Sequence, residues 1–181
     1  MKNSELIGVN HDVLSEALRV IDSQVPNSRN GLPEALFLLV SRMTPMVNVD
    51  LLIVNQQNEK LLTWRHDDFY GPGWHIPGGI IRFKETMAER LKKVALKEIG
   101  CEAEAIGDPL RVTEIFSQER DIRGHFISHL FKSRLLGAPD PSRKADINSP
   151  RQGDWTWFRT APNNLIPQHR RFAELINEVC Y

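Results

Sequence analysis

Residues 74–101 read WHIPGGIIRFKETMAERLKKVALKEIGC, and this stretch combines a glycine turn with an amphipathic segment. The Pro-Gly-Gly turn at residues 77–79 lets the backbone approach a ligand or a metal, because glycine has no Cβ atom. After it, residues 85–99 carry apolar side chains one helical turn apart, and Gly100 suits the C-cap of a helix. The apolar positions are Met87, Leu91, Ala95 and Ile99. The stretch therefore predicts a loop, a helix and a second loop in succession.

The spacing of Gly79, Glu85, Glu98 and Gly100 resembles the sequence box of the Nudix hydrolases, which covers residues 79–101 of this chain. That box is a glycine and a glutamate followed by the pattern Arg-Glu-apolar-x-Glu-Glu-x-Gly-apolar. The similarity of layout extends over roughly residues 45–165. The resemblance implies an α/β fold, namely an α/β/α sandwich around a mixed sheet, and a Mg²⁺ cofactor with Mn²⁺ as the alternative.

Two of the three metal-binding carboxylates of the box are replaced here by Val94 and Lys97, which leaves Glu98. Mg²⁺ takes oxygen ligands and commonly uses one or two carboxylates when substrate phosphates supply others. An ordinary Nudix pyrophosphohydrolase gathers more than one ion to activate water against phosphorus, and this box lacks the carboxylates for that. In this respect the chain is similar to the GDP-mannose mannosyl hydrolases. That similarity implies attack of water on the anomeric carbon of a nucleotide sugar, with inversion and departure of the nucleoside diphosphate.

The resemblance to this branch also implies the ligands of the metal. The backbone carbonyl of Gly79 and the carboxylate of Glu98 are expected to bind it. Gln152 is expected to add a third ligand from the loop that precedes a strand containing two tryptophans.

Three further residues are expected to bind the substrate. Arg65 matches the arginine that stabilises the departing diphosphate in the branch. Arg82 is expected to replace a branch arginine that directly follows the Gly-Gly pair, where this chain has isoleucine. Trp74 is the aromatic residue expected to stack on the nucleobase.

The general base stays open, because no histidine follows the glutamine of the loop at residues 151–154. Asp154 is the first candidate, since it lies in that loop and a carboxylate can deprotonate an attacking water. An aspartate there is equally typical of a turn. His125, which shares a predicted strand face with His129, is an alternative, and His75 is another.

Three functions are therefore compatible with the sequence. The first is a hydrolase that releases a sugar and a nucleoside diphosphate. The second is a nucleoside-diphosphate-X pyrophosphohydrolase in which Glu114, Glu119 or Asp121 replaces the missing ligands. The third is a non-catalytic nucleotide-binding module that kept the fold.

Composition excludes several other classes. The chain has 181 residues, 23 basic and 23 acidic side chains and 41% hydrophobic residues, which suits one domain with a short extension. A formal charge of zero gives no global field for nucleic acid. We expect Cys101 and Cys180 to be reduced structural thiols, and we expect neither a signal peptide nor a membrane span, so a cytoplasmic protein.

Apolar periodicity divides the chain near residue 44. Residues 1–43 are expected to form a helical extension with two short helices, and residues 44–181 the hydrolase domain. Within the domain we expect a hairpin at residues 47–64, three later strands and a closing helix. The apolar faces of the extension need cover, and we therefore expect a homodimer.

Overall fold

The computed structural model describes residues 10–178 of the chain. It contains four α-helices and eight strands in this part, joined by loops and short 3-10 turns. In chain order the elements are α1 (His11–Ser23), α2 (Glu34–Ser41), β1 (Met46–Ile53), β2 (Lys60–Arg65), β3 (Gly73–His75), β4 (Gly78–Ile80), α3 (Met87–Ile99), β5 (Ala103–Ala105), β6 (Arg111–Phe116), β7 (His125–Leu135), β8 (Trp155–Phe158) and α4 (Ala173–Asn177).

The strands form two sheets. In the larger sheet β1 lies between β4 and β7, and both β5 and β6 pair with the far edge of β7. Only the β1–β7 pair in this sheet is parallel, so the sheet is mixed as expected. The smaller sheet has the order β3-β2-β8 and is antiparallel throughout.

Two hydrophobic clusters hold helices on opposite sides of the strands. Alternate residues of β1 point to opposite faces, as strand geometry requires. Val49, Leu51 and Ile53 pack against α3, whereas Leu52 packs in the cluster that contains the C-terminal segment and Ile176 of α4. This arrangement confirms the expected α/β/α sandwich.

The box helix α3 forms where its apolar spacing predicts, but it begins two residues later than expected. Thr86 caps its N-terminus in a capping box with Glu89, so residue 85 lies before the helix. Gly100 ends it in the left-handed conformation with φ 76°, which glycine adopts without strain.

The hairpin predicted from residues 47–64 is wrong in its pairing. Strands β1 and β2 meet only at the Val54–Lys60 bridge and then enter different sheets. The closing helix also differs, since Pro167–Phe172 is a 3-10 turn that precedes the short α4. The short strands β3, β4 and β5 were not predicted, because three residues carry too little periodicity.

The extension contributes both expected helices. Helix α1 has no buried residue, and its apolar side chains Val13, Leu14, Leu18 and Val20 are exposed. Cys101 is buried as a free thiol, and Cys180 lies outside the described residues. None of the helices described between residues 10 and 178 is long and apolar enough to cross a bilayer.

Candidate active site

Two cavities meet at the glycine turn that the sequence singles out. The first cavity has a volume of about 160 Å³ and is lined by polar side chains of β1, β2 and β3. The second cavity, of about 540 Å³, lies between α3 and the N-terminal extension. Gly78, Gly79 and Ile80 line both cavities, so β4 forms their common wall.

Glu98 lies on the last turn of α3 and is the carboxylate of the second cavity. Its side chain keeps 24% exposure, and Oε2 lies 3.2 Å from Thr63 Oγ1 and 4.0 Å from His75 Nε2. Burial raises the pKa of Glu98 to about 7, although the charge of Arg65 and hydrogen bonds from Thr63 and the Gly78 N–H act in the opposite direction. Glu98 is therefore held in place from β2 and from the glycine turn.

His75 is neutral in this arrangement. Its Nδ1 lies 2.9 Å from the carbonyl oxygen of Ile76, which requires an N–H there, so Nε2 is the acceptor facing Thr63 Oγ1 at 2.9 Å. Burial and the charge of Arg65 lower the pKa of His75 to about 3. The same causes, together with His75, lower the pKa of His169, whose Nδ1 accepts a hydrogen bond from the Ile76 N–H.

Asp50 is a candidate site residue that the sequence interpretation missed. It lies on β1 with 1% exposure, lines the first cavity and accepts a hydrogen bond from the hydroxyl of Ser128. Burial raises the pKa of Asp50 to about 6, against the effect of that bond. A Cβ at Gly78 would lie 2.1 Å from Asp50 Oδ1, so only glycine allows this contact. A carboxylate inside a strand that is apolar apart from Asn48 was the available signal.

Arg65 and Gly79 both line the first cavity. Arg65 ends β2, lines the first cavity and forms an ion pair of 2.5 Å with Asp67. Gly79 lines both cavities, the first together with Arg65 and the second together with Glu98. Arg82 lines the second cavity. The glycine turn therefore has one arginine on each side.

The loop at residues 151–154 is placed differently. Gln152 Oε1 accepts a hydrogen bond of 2.5 Å from the backbone N–H of His66, and Gln152 is not among the residues that line either cavity. Asp154 is 5% exposed, and its carboxylate accepts a hydrogen bond of 2.8 Å from the Arg151 N–H. The Gln152 side chain thus binds the residue that follows β2, and the Asp154 carboxylate closes the turn before β8, as an aspartate of a turn does.

Two other expected site residues also lie outside the cavities. Phe126 and Ser128 on β7 face Asp50, and alternation along the strand turns His125 to the other face. His125 Nε2 instead lies 2.8 Å from Glu114. Trp74 is 1% exposed and packs in the core against Trp64 and Phe158, so it has no face open to a nucleobase.

The residues present fit a divalent metal only when phosphate oxygens complete its coordination. No group of three or more His, Cys, Asp or Glu side chains within the described residues could hold an ion alone. Val94 is buried, and its Cγ2 lies 2.7 Å from the place of a Cβ on Gly79, so an apolar group fills one box carboxylate position. Glu98 and the Gly79 carbonyl remain as oxygen donors beside the second cavity.

Comparisons with known proteins agree with this architecture. A family model described as the NUDIX domain matches residues 44–176. The low-salt glycan biosynthesis protein Agl8 of Haloferax volcanii is 26% identical over 117 residues, which is 62% of this chain and 74% of that protein. The solved MutT protein from Methanosarcina mazei Go1 has a TM-score of 0.56 and 20% identity, covering 74% of this chain and 94% of that chain. A solved UDP-X diphosphatase has a TM-score of 0.53 and 20% identity over 93% of this chain and 81% of its own.

Proposed function

The chain belongs to the NUDIX domain family, and on that premise we propose that it is a hydrolase of nucleotide sugars that breaks the bond between the anomeric carbon and the diphosphate. The products are then a free sugar and a nucleoside diphosphate. A divalent ion, Mg²⁺ or Mn²⁺, is the proposed cofactor.

The observation that carries this proposal is the position of Glu98. Of the three metal-binding carboxylate positions of the box, only this one is still a carboxylate, since Val94 and Lys97 occupy the other two, and Glu98 lines the second cavity together with Gly79. Such a site binds one ion through the substrate rather than a group of ions that activates water. Glu114, Glu119 and Asp121 do not line either of the two cavities, which disfavours their use as replacement ligands.

Breaking the carbon–oxygen bond needs charge stabilisation on the leaving diphosphate. An ion held by Glu98 and the Gly79 carbonyl would supply positive charge to the phosphate oxygens. Arg65, which lines the first cavity, would bind the departing diphosphate, and Arg82, which lines the second cavity, would help to hold the bound substrate. Oriented cations of this kind stabilise charge that develops in the transition state.

Asp50 is the proposed general base. Its carboxylate faces the first cavity, next to the glycine turn and on the same side as Arg65. Water attacks the anomeric carbon, its proton passes to Asp50, and the diphosphate oxygen leaves with the electron pair of the broken bond. Asp154 and His125 serve this role less well, because neither lines the cavity.

One relative supports a role with sugars. The name of the Haloferax volcanii protein places that protein in glycan biosynthesis. Nucleotide sugars are the activated donors on which a hydrolase of this kind acts. We propose on this basis that the reaction acts in the turnover of glycan precursors.

The test is hydrolysis of a panel of nucleotide sugars with Mg²⁺ in water enriched in ¹⁸O. Label in the free sugar, with inverted anomeric configuration by proton NMR, is the expected result, because water then attacks carbon. Label in a phosphate product, with a sugar phosphate and a nucleoside monophosphate, would identify a pyrophosphohydrolase instead. Binding without turnover would identify a non-catalytic module. Glu98→Gln is the variant expected to lose turnover.

A further inference from the structure

Three arginines surround the ring of Tyr70 at the outer end of the first cavity. The guanidinium carbons of Arg65, Arg120 and Arg123 lie 4.9, 4.6 and 5.4 Å from the centre of that ring. Stacking on an aromatic face is favourable for each guanidinium alone. Three positive charges around one ring also repel one another, so this arginine cluster needs negative charge nearby.

The chain supplies little of that charge. Among the residues the structure describes, Asp67 is the one carboxylate that forms an ion pair with the cluster, through Arg65. Arg120 donates to the carbonyl oxygen of Phe69, but its Nη1 is buried without a hydrogen-bond partner. The Nε of Arg123 is likewise buried and unpartnered. Buried N–H donors of charged groups without acceptors are unfavourable, and they are rare unless water or a ligand completes them.

The cluster borders space that is continuous with the proposed active site. Arg123 and Tyr70 line the first cavity, and they also line an adjoining cavity of about 200 Å³ that is lined by Arg120 and Arg171 as well. Phe126 lies on both walls. A substrate whose diphosphate lies at Arg65 therefore points its far end either toward the second cavity or toward this cluster.

Arg123 is fixed by contacts from two directions. Its backbone N–H donates a hydrogen bond of 3.1 Å to the hydroxyl of Ser41 at the end of α2, and its carbonyl accepts one of 3.0 Å from the hydroxyl of Tyr70. Its guanidinium also stacks on Phe69 at 4.8 Å. A cation held in this way loses little freedom when it binds an anion.

We propose that the arginine cluster is an anion subsite that binds a second acidic group of the substrate, a phosphate or a carboxylate beyond the cleaved diphosphate. Arginine is suited to both groups, because its planar fork offers paired N–H donors to two oxygens. The inference rests on the proposed function for the identity of the substrate. The anion affinity of the cluster itself does not depend on catalysis.

The first experiment measures that affinity with inorganic phosphate. The full chain is labelled with ¹⁵N, and the Nε–H signals of its arginines are followed by NMR while phosphate replaces chloride at constant ionic strength. The signals of Arg120 and Arg123 are expected to shift with saturation, and Arg120→Gln is expected to weaken the binding about tenfold. Arg134→Gln is the matched control, because Arg134 is 65% exposed, pairs with Glu104 and lines none of these cavities.

The second experiment identifies the source of the acidic group. Affinities are compared within two matched pairs, a nucleoside triphosphate against its diphosphate and a nucleotide-linked sugar acid against its neutral sugar. A preference of about tenfold for the more acidic member, lost in Arg123→Gln, supports the subsite and identifies its ligand. In the phosphate titration, Nε–H shifts that do not saturate and that are equally large for Arg134 would overturn the proposed subsite. Saturable phosphate binding together with no hydrolysis of any nucleotide sugar would instead refute the proposed function alone.

Discussion

The hydroxyl of Thr63 forms a hydrogen bond of 3.2 Å with the carboxylate of Glu98, and it shares its single proton with Nε2 of His75 at 2.9 Å. Thr63 belongs to β2 of the smaller sheet and Glu98 to the box helix, so this bond joins the two parts of the fold at the proposed metal site. Thr63 is 1% exposed, which makes it a positioning residue rather than a group that meets the substrate. The bond therefore orients the carboxylate that is proposed to bind the metal.

Thr63→Val is expected to raise the Mg²⁺ concentration needed for half-maximal activity by roughly 10- to 100-fold, because it removes the partner that orients Glu98. Valine has the same shape, so the fold is retained. The measurement is activity against Mg²⁺ concentration. Thr156→Val on β8 is the control, and an equal effect there would rule out a specific role for Thr63.

Asp50→Asn is expected to lower kcat by roughly 10²- to 10⁴-fold with little change in KM, because asparagine cannot accept the proton of water. Asp154→Asn is the matched comparison and is expected to stay near the wild-type rate, since Asp154 bonds to Arg151 in its own loop. Steady-state kinetics of both variants decides whether Asp50 or Asp154 is the general base. If Asp154→Asn alone lost turnover, Asp154 rather than Asp50 would be the general base.

Arg65→Lys is expected to lower kcat by roughly 10²-fold, because lysine keeps the charge but loses the paired donors that hold the departing diphosphate. Arg82→Gln is expected to act mainly on KM, since Arg82 is exposed and its Nη1 lies 3.5 Å from the Arg29 carbonyl. The measurement is steady-state kinetics of each variant, which separates its effect on kcat from its effect on KM. Equal effects of both variants would contradict the assignment of Arg65 to the leaving group.

Glu85 should make stability depend on pH. Burial acts to raise the pKa of Glu85, but hydrogen bonds from Lys93, the Arg82 N–H and Arg90, with the charge of Arg90, outweigh it and lower the pKa from 4.5 to about 2. The stabilisation that ionised Glu85 gives to the folded state is therefore complete above the unfolded pKa of 4.5. It is lost as the pH falls from there toward 2.

Glu85→Gln is accordingly expected to reduce the free energy of unfolding at pH 7 by about 3 kcal/mol, because it leaves Arg90 buried without its anion. The difference from wild type should shrink in urea titrations as the pH is lowered below 4.5. Glu104→Gln, which breaks an exposed pair with Arg134, should change stability by less than about 1 kcal/mol. A difference that is constant with pH would argue against this ion pair.

The exposed apolar side chains of α1 are expected to lie in a homodimer interface. Leu14→Glu with Leu18→Glu should convert a dimer to a monomer, because both side chains lie one turn apart on the exposed helix. Light scattering at micromolar concentration measures the mass. A monomeric mass for the wild-type protein would contradict the prediction.

Some features were predictable because one local rule decides them. The helix of residues 87–99 follows from its apolar spacing, and Gly100 ends it in a conformation that few other residues adopt. Arg65, Gly79 and Glu98 were identified by their place in a sequence pattern, and all three lie at the two cavities.

Other features depend on strand pairing and on which face a residue presents. Asp50 and Ser128 are 78 residues apart in sequence and meet only because β1 and β7 are parallel neighbours. His125 was proposed from its residue type, but the register of β7 turns it away from the cavity. Trp74 was proposed as a stacking residue, and its burial follows from contacts between sheets that no local pattern encodes.

The second cavity is bounded on one side by Phe37 and Val40 of α2, which lie before the part of the chain that matches the family model. A shortened protein that began at residue 44 would retain every strand of both sheets, but its second cavity would be open to water on the side of α2. Replacing the extension with another one would then change which substrates fit the second cavity. The reaction itself would be kept, because Glu98, Arg65 and Asp50 stay in place.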